Sequence, residues 1–306
     1  IDIGSNDGTI LNSYSLKSIR RVGIDPTGLK FKDYYEDGVE LIPTFFSAEI
    51  LQEIYPNAKA KIITSISMFY DLENPVDFVK DISDVLDEQG IWHFEQSYMP
   101  AMLRQNAYDT ICHEHLEYYS LGVVKNLLER AGLKIIDVQM NSVNGGSFAV
   151  TASHSDAKYH ENTPVINWLL DQEKRMELDT PKPYRDFEKR IFKHREDLVR
   201  LITSLKNAGK RICGYGASTK GNVLLQFCGF TPEHIDMIAE VNEQKYGCFT
   251  PGSLIPIGSE EEVKSIKPDY MLVLPWHFKD SIIKRESEYL ASGGKLIFPL
   301  PEIEII

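Results

Sequence analysis

The sequence predicts an α/β fold with two Rossmann-like units, a larger N-terminal one and a smaller, doubly wound C-terminal one. In both halves, short apolar runs alternate with helix-like stretches, the pattern of parallel βαβ units. Each half also has a glycine turn after an apolar run, IDIGSNDGTIL at the start and CGYGASTKGN later. Residues 164–208 are charged and helix-favouring. We therefore expect domains at 1–155 and 209–306, joined by a helical segment at 156–208.

Five strands are predicted in the first half, at 1–3, 21–24, 40–43, 61–66 and 90–95. Residues 74–90 place apolar side chains at helical spacing and end on Gly90, which predicts an amphipathic helix over that range. A further helix stops at Gly132 and leads into a strand, and the turn NGGSF leads back into another. The first domain is therefore expected to close with an antiparallel pair near residue 155.

The second half restarts the same alternation. KRICGYG, IDMIAEVN, DYMLVLPW and GKLIFPL are predicted strands, and a helix is expected from about 220 to 227. In the connecting segment, Pro181 and Pro183 are expected to break the helix once.

Composition excludes several classes of partner. The 306 residues carry a net charge of −12, with acidic residues spread along the chain, so nucleic acid and anionic membranes are not expected partners. No apolar run approaches the roughly 20 residues of a membrane span, and no leader is visible, which predicts a cytoplasmic protein. The four cysteines form no C-x-x-C pair, so neither a zinc knuckle nor a disulfide framework is indicated. Because residue 1 already lies in a predicted strand, we expect natural chain upstream.

The first glycine turn has the features of a cofactor loop. Gly4 and Gly8 allow sharp turns and a close approach of the backbone to a ligand. Asp25 ends the next strand, where a carboxylate can accept both hydroxyls of a ribose. The spacing differs from G-x-G-x-x-G and suits adenosine with a compact charged group better than a pyrophosphate. The alternative is a plain βα turn with Asp25 as a helix cap.

The second glycine turn is closer to the dinucleotide fingerprint. Gly214 and Gly216 match its first two positions, Thr219 replaces the third glycine, and Glu240 ends the next strand. Phosphate could be held by the side chains that follow the turn, namely Ser218, Thr219 and Lys220. The alternative is a tight turn with Lys220 pointing into solvent.

The stretch YDTICHEHLEYYSL contains His113, Glu114 and His115, and it has three possible uses. Two histidines in an extended H-x-H could face one metal, but no second cluster of ligand spacing occurs, so no metal is predicted. The histidines could instead be structural, bonded to backbone carbonyls. The third use is a general base, since imidazole titrates near neutrality and a neighbouring carboxylate can fix its tautomer and raise its basicity. Spacing alone leaves packing and base open.

Several linked motifs resemble one family. IDIGSNDGTIL, VGIDPTG, SMFYDLENP, CHEHLEYYSL, NGGSF, GYGASTKGN, TPGSLIPI and VLPWHF together resemble the bacterial sugar C-methyltransferases, S-adenosylmethionine enzymes that act on nucleotide-linked keto sugars. The resemblance covers nearly the whole chain. It implies a class I methyltransferase Rossmann-like domain followed by a C-terminal Rossmann-like domain. The family's N-terminal zinc-binding domain, the one place where it carries zinc, is not in this sequence.

The resemblance also implies roles for individual residues. His115 would be the base and Glu114 its carboxylate partner, with the enolate oxygen bound by a tyrosine: Tyr118, Tyr119 or Tyr70. The S-adenosylmethionine site would comprise Gly4, Ser5, Asn6, Gly8, Asp25, Phe46, Ser47, Ser67, Met68 and Phe69. The nucleotide sugar would be bound by His113, Tyr98, Gly216, Ser218, Lys220, Asn222, Glu240, Trp276 and His277. Cys112 departs from the family, which often has a tyrosine there, and a family histidine can occur near Tyr70 or Asp71.

Three other functions remain open at this stage. The base could deprotonate a heteroatom, giving O- or N-methylation of a nucleotide sugar. The second glycine turn with Glu240 could bind NAD in a dehydrogenase or epimerase. Both turns could be vestigial in an interaction module. We expect a monomer or a small homo-oligomer.

Overall fold

Two β-sheets organise the chain, whose computed structural model describes residues 1–306. The strands are β1 (Asp2–Ile3), β2 (Arg21–Ile24), β3 (Val39–Ile42), β4 (Ala60–Ile66), β5 (Leu86–Ser97), β6 (Leu133–Asn141), β7 (Ser147–His154), β8 (Ile212–Tyr215), β9 (Ile238–Glu240), β10 (Ile257–Ser259), β11 (Tyr270–Val273), β12 (Lys295–Phe298) and β13 (Glu304–Ile305). The helices are α1 (Thr9–Ser13), α2 (Ala48–Ile54), α3 (Pro75–Val85), α4 (Met99–Gln105), α5 (Leu121–Arg130), α6 (Thr163–Arg175), α7 (Lys182–Asn207), α8 (Thr219–Cys228), α9 (Glu260–Ser265), α10 (Lys279–Arg285) and α11 (Ser287–Ala291).

The chain divides into two compact units, neither of them continuous in sequence. The first unit comprises Ile1–Met99 and Leu116–Met176, and the second comprises Pro100–His115 and Glu177–Ile306. None of the helices combines the length and the apolar character that a membrane span requires.

The first unit contains a seven-stranded sheet in the order β3-β2-β1-β4-β5-β7-β6. Strands β1 to β5 pair in parallel, and β7 runs antiparallel to both β5 and β6. This confirms the predicted parallel sheet with an antiparallel pair at its edge. The strand order reverses between β1 and β4, and ligands of such sheets bind beyond the carboxyl ends of the strands at that point.

An aromatic cluster fills the core of the first unit. Trp92 and Phe94 of β5 lie 4.1 Å apart between ring centroids, and Phe69 lies 5.5 Å from Phe94. Phe78 of α3 completes the cluster, 5.8 Å from Phe69. Each fully buried ring contributes about 1.5 to 3 kcal/mol through the hydrophobic effect.

Helix α3 ends earlier than the sequence predicts. The apolar spacing suggested a helix to Gly90, but the helix stops at Val85 and β5 starts at Leu86. Leu86 pairs with Ala60, and the register then shifts before Ile62. Gly90 lies at this irregularity. A side chain does not fit there, because a Cβ would be 2.7 Å from the Ala60 carbonyl oxygen. Gly90 therefore marks a close approach inside the sheet and not a helix end.

The second unit contains a six-stranded sheet in the order β10-β9-β8-β11-β12-β13. All neighbours pair in parallel except β12 and β13. The order is that of a doubly wound Rossmann-like sheet, as predicted, with its reversal between β8 and β11. Strands β10 and β13 were not predicted, because three and two residues are too few for a periodic signal.

The helical segment between the sheets is divided between the units. Helices α6 and α7 are separate, as the proline break predicted, and the boundary between units falls after Met176. The segment Pro100–His115 belongs to the second unit, where the Arg190 guanidinium of α7 donates to the Leu103 carbonyl at 2.6 Å and to Asn106 Oδ1 at 2.9 Å. The helical connecting segment expected at 156–208 thus contributes to both units.

Candidate active site

The loop between β1 and α1 contains three left-handed residues within five positions. Gly4, Asn6 and Gly8 have φ of 73°, 48° and 74°. A Cβ on Gly8 would lie 3.0 Å from the Tyr35 ring. The Tyr35 hydroxyl bonds Ser5 Oγ at 2.8 Å and donates to the Asn6 carbonyl at 2.9 Å. The loop is thus held against Tyr35, with no room for a side chain at Gly8.

Asp25, at the end of β2, stabilises this loop through hydrogen bonds. Its Oδ2 accepts the Asn6 N–H at 2.9 Å, and its Oδ1 accepts the Thr27 N–H at 2.6 Å and the Thr27 hydroxyl at 2.7 Å. A carboxylate offers about four lone-pair sites, so a single one, on Oδ2, remains. The sequence suggested that Asp25 could bind both ribose hydroxyls; in the structure it has capacity for one direct bond.

The end of β4 lies next to the same loop. A Cβ on Gly4 would be 3.4 Å from Met68 Cγ, so the backbone of the loop meets the Met68 side chain closely. Ser67 has φ 55°, and its N–H donates to the Glu95 carbonyl at 2.7 Å. Met68 and the glycine loop are therefore brought together at the carboxyl ends of β1, β2 and β4.

The remaining residues expected at the cofactor have local structural roles. Ser47 caps α2 by accepting the Ile50 N–H at 3.3 Å, and the half-buried Phe46 makes an edge contact with Phe78 at 5.2 Å. Phe69 is 1% exposed and lies in the aromatic core. Its ring is therefore not open to a ligand in this structure.

Tyr119 stacks on this core. Its ring lies 5.0 Å from Phe69 at an interplanar angle of 25°, and its buried hydroxyl has no hydrogen-bond partner. Burial raises its pKa above the ordinary tyrosine value. Tyr70 is also buried, and its carbonyl accepts the N–H groups of Leu116 and Glu117. Tyr118 is half-buried.

Two buried polar side chains of β5 were missed by the sequence reasoning. Gln96 is fully buried, and neither its amide nitrogen nor its amide oxygen has a partner. The buried Ser97 hydroxyl also lacks one. A glutamine in a strand gives no signal in a motif search, yet unpaired buried amides are rare and costly.

Tyr98 serves the structure of the first unit. It is buried, and its hydroxyl donates to Glu173 Oε1 at 2.8 Å. The Glu173 carboxylate of α6 also accepts the N–H groups of Leu121 at 2.6 Å and Gly122 at 2.9 Å, at the start of α5. Tyr98 was expected at the sugar, but its hydroxyl is already engaged.

The HEH stretch forms a turn in the second unit. The His115 N–H donates to the Cys112 carbonyl at 3.2 Å, so the segment is not extended and the H-x-H premise of a shared face does not apply. His113 and Glu114 are exposed, and His115 is half-buried. No group of three or more His, Cys, Asp or Glu side chains is placed to hold a metal.

The surroundings of His115 lower its pKa. Burial is the largest cause and the Lys220 ammonium the second; a hydrogen bond to the Thr110 main chain and the Glu114 carboxylate act in the opposite direction. The sequence suggested that Glu114 raises the basicity of the ring, but its effect is the smallest and the net shift is downward. The Thr110 carbonyl accepts one ring N–H, which leaves the other ring nitrogen as an acceptor.

Lys220, Trp276 and His277 lie in the same region as His115. The Trp276 indole N–H donates to Asp109 Oδ2 at 2.8 Å, and Asp109 is 1% exposed. Burial, with the Lys220 ammonium as second cause, lowers the pKa of His277 to about 4. The sequence placed these three residues in the nucleotide crevice together with Glu240. Asp109 was missed, since its indole partner is 167 positions away.

The second glycine turn is packed by the protein itself. A Cβ on Gly214 would lie 2.3 Å from Ile238, and one on Gly216 would lie 2.9 Å from Pro275. Glu240 accepts the N–H groups of Ala217 at 2.9 Å, Val241 at 2.8 Å and Asn242 at 3.1 Å. Gly214 and Gly216 therefore contact neighbouring side chains of the protein, and Glu240 stabilises the turn through main-chain hydrogen bonds.

An open cavity of about 450 Å³ lies beside this turn. Its lining includes Gly216, Ser218, Glu240 and Lys245, together with Val241 and Phe278, whose apolar side chains are exposed. Ser218 Oγ caps α8 by accepting the Gly221 N–H at 3.0 Å, and Asn222 is half-buried in the first turn of that helix.

Comparison with known families assigns both halves of the chain. Residues 142–301 match a family described as C-methyltransferase C-terminal domain, and residues 1–138 match a methyltransferase domain. The chain belongs to the C-methyltransferase family. It is 34% identical to C-methyltransferase NovU of Streptomyces niveus over 307 residues, which is 100% of this chain and 73% of that protein. The C-methyltransferase assignment implied by the motifs is thereby confirmed.

Two solved methyltransferase structures are similar to part of this C-methyltransferase. One is a methyltransferase in complex with the Haloferax volcanii Trm112 activator, with a TM-score of 0.42, 14% identity, and coverage of 50% of this chain and 80% of the other. Another is the plantazolicin methyltransferase BpumL with a desmethyl substrate analogue and SAH, with a TM-score of 0.39, 13% identity, and coverage of 50% and 75%. The family assignment rests on the sequence matches.

Proposed function

We propose that this C-methyltransferase methylates the carbon next to the ketone of a nucleotide-linked deoxy keto sugar, through an enolate that His115 forms. The observation that carries the proposal is the state of His115. Its ring is half-buried, its pKa is lowered, and one ring nitrogen is bonded to the Thr110 carbonyl. It is therefore neutral at pH 7, with a defined nitrogen that can accept a proton.

The residues of the first unit fit S-adenosylmethionine as methyl donor. The loop is exposed at Gly4 and Asn6 and is held against Tyr35 at Gly8, Asp25 retains one acceptor site, and Met68 adjoins the loop. Ser5, Asn6, Phe46, Ser47 and Ser67 complete the proposed site. When bound, S-adenosylmethionine supplies an electrophilic methyl group to the substrate carbon. The protein holds the reactants in line and excludes water.

The chemistry of the chain is proton transfer. The ketone acidifies the neighbouring C–H bond, the ring nitrogen of His115 that carries no proton accepts this one, and the electron pair of that bond moves onto the ketone oxygen. The Thr110 carbonyl fixes the tautomer, and Glu114 offsets part of the charge on the imidazolium. The tyrosine donors proposed for the enolate oxygen remain Tyr118, Tyr119 and Tyr70.

The nucleotide is proposed to occupy the cavity beside the second glycine turn. Val241 and Phe278 are exposed apolar surfaces suited to a planar base, and Lys245 supplies a cation. Gly216, Ser218 and Asn222 would contact the nucleotide, and the exposed His113 would contact the sugar. Glu240 is less suited, because its carboxylate already accepts three N–H groups and the Lys245 ammonium. Tyr98 and Trp276 are less suited to direct contact, since both are buried and hydrogen-bonded within the protein.

His115→Gln, with His160→Gln at an exposed position outside the proposed site as control, tests the base. A panel of nucleoside-diphosphate keto-deoxysugars is incubated in D₂O, and exchange of the proton next to the ketone is followed by NMR. His115→Gln is expected to abolish exchange while S-adenosylhomocysteine still binds in calorimetry, and His160→Gln should keep the exchange. Undiminished exchange in His115→Gln would remove the proposal. Carbon NMR of the product distinguishes a C-methyl group from an O- or N-methyl group.

A further inference from the structure

We propose that Tyr35 is a positioning residue for S-adenosylmethionine, and that its hydroxyl holds the loop between Gly4 and Gly8 in the conformation that binds the cofactor. The inference rests on the proposed function, in which this loop contacts the methyl donor. It deepens that function by adding a residue that acts through the loop. All of the residues concerned lie in the first unit.

Asn6 is the residue of the loop whose conformation needs support. Its φ of 48° lies in the left-handed region, which is uncommon for residues other than glycine. Such conformations persist where the surrounding structure determines them. The Asn6 N–H donates to Asp25 Oδ2 at 2.9 Å, and the Asn6 carbonyl accepts the Tyr35 hydroxyl at 2.9 Å. Asp25 and Tyr35 therefore fix both polar groups of the Asn6 main chain.

The direction of the hydrogen bonds at Tyr35 follows from the number of protons. A phenol has one O–H and a carbonyl oxygen can only accept, so the Tyr35 proton is donated to Asn6. The Tyr35 oxygen then accepts the Ser5 Oγ–H at 2.8 Å. A single hydroxyl thus bonds two consecutive residues of the loop, Ser5 through its side chain and Asn6 through its main chain. Removing that hydroxyl removes both bonds.

Two glycines make room for the Tyr35 ring. A Cβ on Gly8 would lie 3.0 Å from the ring. A Cβ on Gly23 of β2 would lie 3.0 Å from the ring and 2.6 Å from Ser5 Oγ. Ser5 and Gly8 are buried residues of the loop. Tyr35 therefore contacts the buried part of the loop, and its influence on the cofactor passes through the loop.

The main chain on both sides of Tyr35 is bonded to neighbouring elements. The Asn12 amide nitrogen of α1 donates to the Tyr34 carbonyl at 2.8 Å, and the Asn12 amide oxygen accepts the Glu36 N–H at 3.1 Å. The buried Arg21 guanidinium of β2 donates to the Glu36 carboxylate at 3.4 Å. The helix that follows the glycine loop thus also holds the segment that carries Tyr35.

An ordered loop binds its ligand more tightly because less conformational freedom is lost on binding. Without the Tyr35 hydroxyl, the Asn6 carbonyl and the Ser5 hydroxyl lose a partner within the protein, and the binding conformation of the loop becomes less populated. The apparent affinity falls in proportion to that population. Once the cofactor is bound, the proton transfer to His115 uses none of these groups. The effect is therefore expected in the Kd and KM of the cofactor and not in kcat.

The test compares Tyr35→Phe with Tyr34→Phe, the same substitution at the neighbouring, exposed position. In calorimetry, Tyr35→Phe is expected to bind S-adenosylhomocysteine about tenfold more weakly, whereas Tyr34→Phe should bind it as the unchanged protein does. With the keto sugar that turns over, the KM for S-adenosylmethionine should rise by about the same factor while kcat stays the same. Unchanged affinity in Tyr35→Phe, or a loss of kcat with unchanged KM, would overturn the inference.

A second readout needs neither ligand nor activity. Amide hydrogen exchange of the ligand-free protein is expected to become faster in peptides that cover the loop of Tyr35→Phe, and to stay unchanged in peptides from α7. Equal acceleration along the whole chain would show a general loss of stability and contradict a positioning role. If Tyr35→Phe does not fold, Ser5→Ala removes one of the two bonds, and unchanged exchange and affinity in that variant would also overturn the inference.

Asp25→Ala separates this inference from the placement of the cofactor. If Asp25→Ala and Tyr35→Phe both bind S-adenosylhomocysteine normally, the loop is not the cofactor site and the inference fails with it. If Asp25→Ala alone weakens binding, the placement stands and Tyr35 has no positioning role. Proton exchange of the sugar is measured without cofactor, so a failure of His115→Gln to stop it would remove the proposed base and leave the result for Tyr35 unaffected.

Discussion

Glu240 accepts the main-chain N–H of Ala217 at 2.9 Å, so the carboxylate at the end of β9 is bonded to the glycine turn that follows β8. In dinucleotide-binding folds an acidic residue in this position bonds a ribose. In this chain it also accepts two N–H groups of its own turn, and Pro275 packs on Gly216. The turn therefore keeps the spacing of a dinucleotide site while its polar groups serve the protein, which disfavours an NAD-dependent enzyme.

Glu240→Gln should destabilise the second unit by about 1 to 3 kcal/mol, because a buried acceptor loses its charge. Burial raises the pKa of Glu240, but the N–H groups and Lys245 outweigh it and the net pKa is lowered. The ionised form thus contributes stability above the unfolded pKa of about 4.3, and this is lost as pH falls through the folded pKa. Urea unfolding between pH 3 and pH 7 measures the effect. Glu188→Gln, on an exposed part of α7, is the control, and equal losses in both variants would refute the role of Glu240.

Gly8→Ala should weaken S-adenosylhomocysteine binding by about tenfold or more, as one lost contact of 1.4 kcal/mol would do. Gly132→Ala is the matched control, because its φ of 75° nearly equals the 74° of Gly8 but its Cβ would meet nothing within 4 Å. In both variants the alanine must adopt a left-handed backbone conformation, which lowers the free energy of unfolding by about 1 to 2 kcal/mol. Calorimetry and urea unfolding separate the two effects, and equal affinities in the two variants would mean that Tyr35 does not shape the site.

Tyr119→Phe should leave the unfolding free energy unchanged or raise it by about 1 kcal/mol, because the buried hydroxyl has no partner to lose. Tyr98→Phe removes an equally buried hydroxyl that donates to Glu173. This substitution should lower the free energy of unfolding by about 1 to 2 kcal/mol. Thermal unfolding and turnover are measured together. If Tyr119→Phe keeps its stability but loses turnover, the hydroxyl binds the enolate oxygen.

Glu173→Gln should lower the free energy of unfolding by about 2 kcal/mol or more, because the buried Glu173 carboxylate accepts hydrogen bonds from three donors. Asp171→Asn, an exposed position on the same helix, is expected to change the unfolding free energy by less than about 0.5 kcal/mol. Denaturant unfolding followed by circular dichroism gives both values. A Glu173→Gln protein as stable as Asp171→Asn would show that α6 is not fixed to the first unit through this side chain.

The sequence predicted most strands and both glycine turns, because periodicity and glycine spacing are local signals. It could not predict partners that are distant along the chain. Asp109 meets the Trp276 indole across 167 positions, and Glu173 meets Tyr98 across 75. The motifs therefore identified His115 and Lys220 without indicating that one influences the pKa of the other.

Because neither unit is continuous in sequence, chimeras between this enzyme and its relatives cannot be made by exchanging a single segment. The chain leaves the first unit after Met99, supplies Pro100–His115 to the second, and returns at Leu116. A chimera made by exchanging residues from 177 onward between relatives would keep its own Asp109 and His115 but receive a foreign Lys220 and Trp276. The hydrogen bond between Asp109 and Trp276 is therefore kept between native partners only when the 16-residue insertion and the C-terminal segment are exchanged together, so the stability of such hybrids should depend on both pieces.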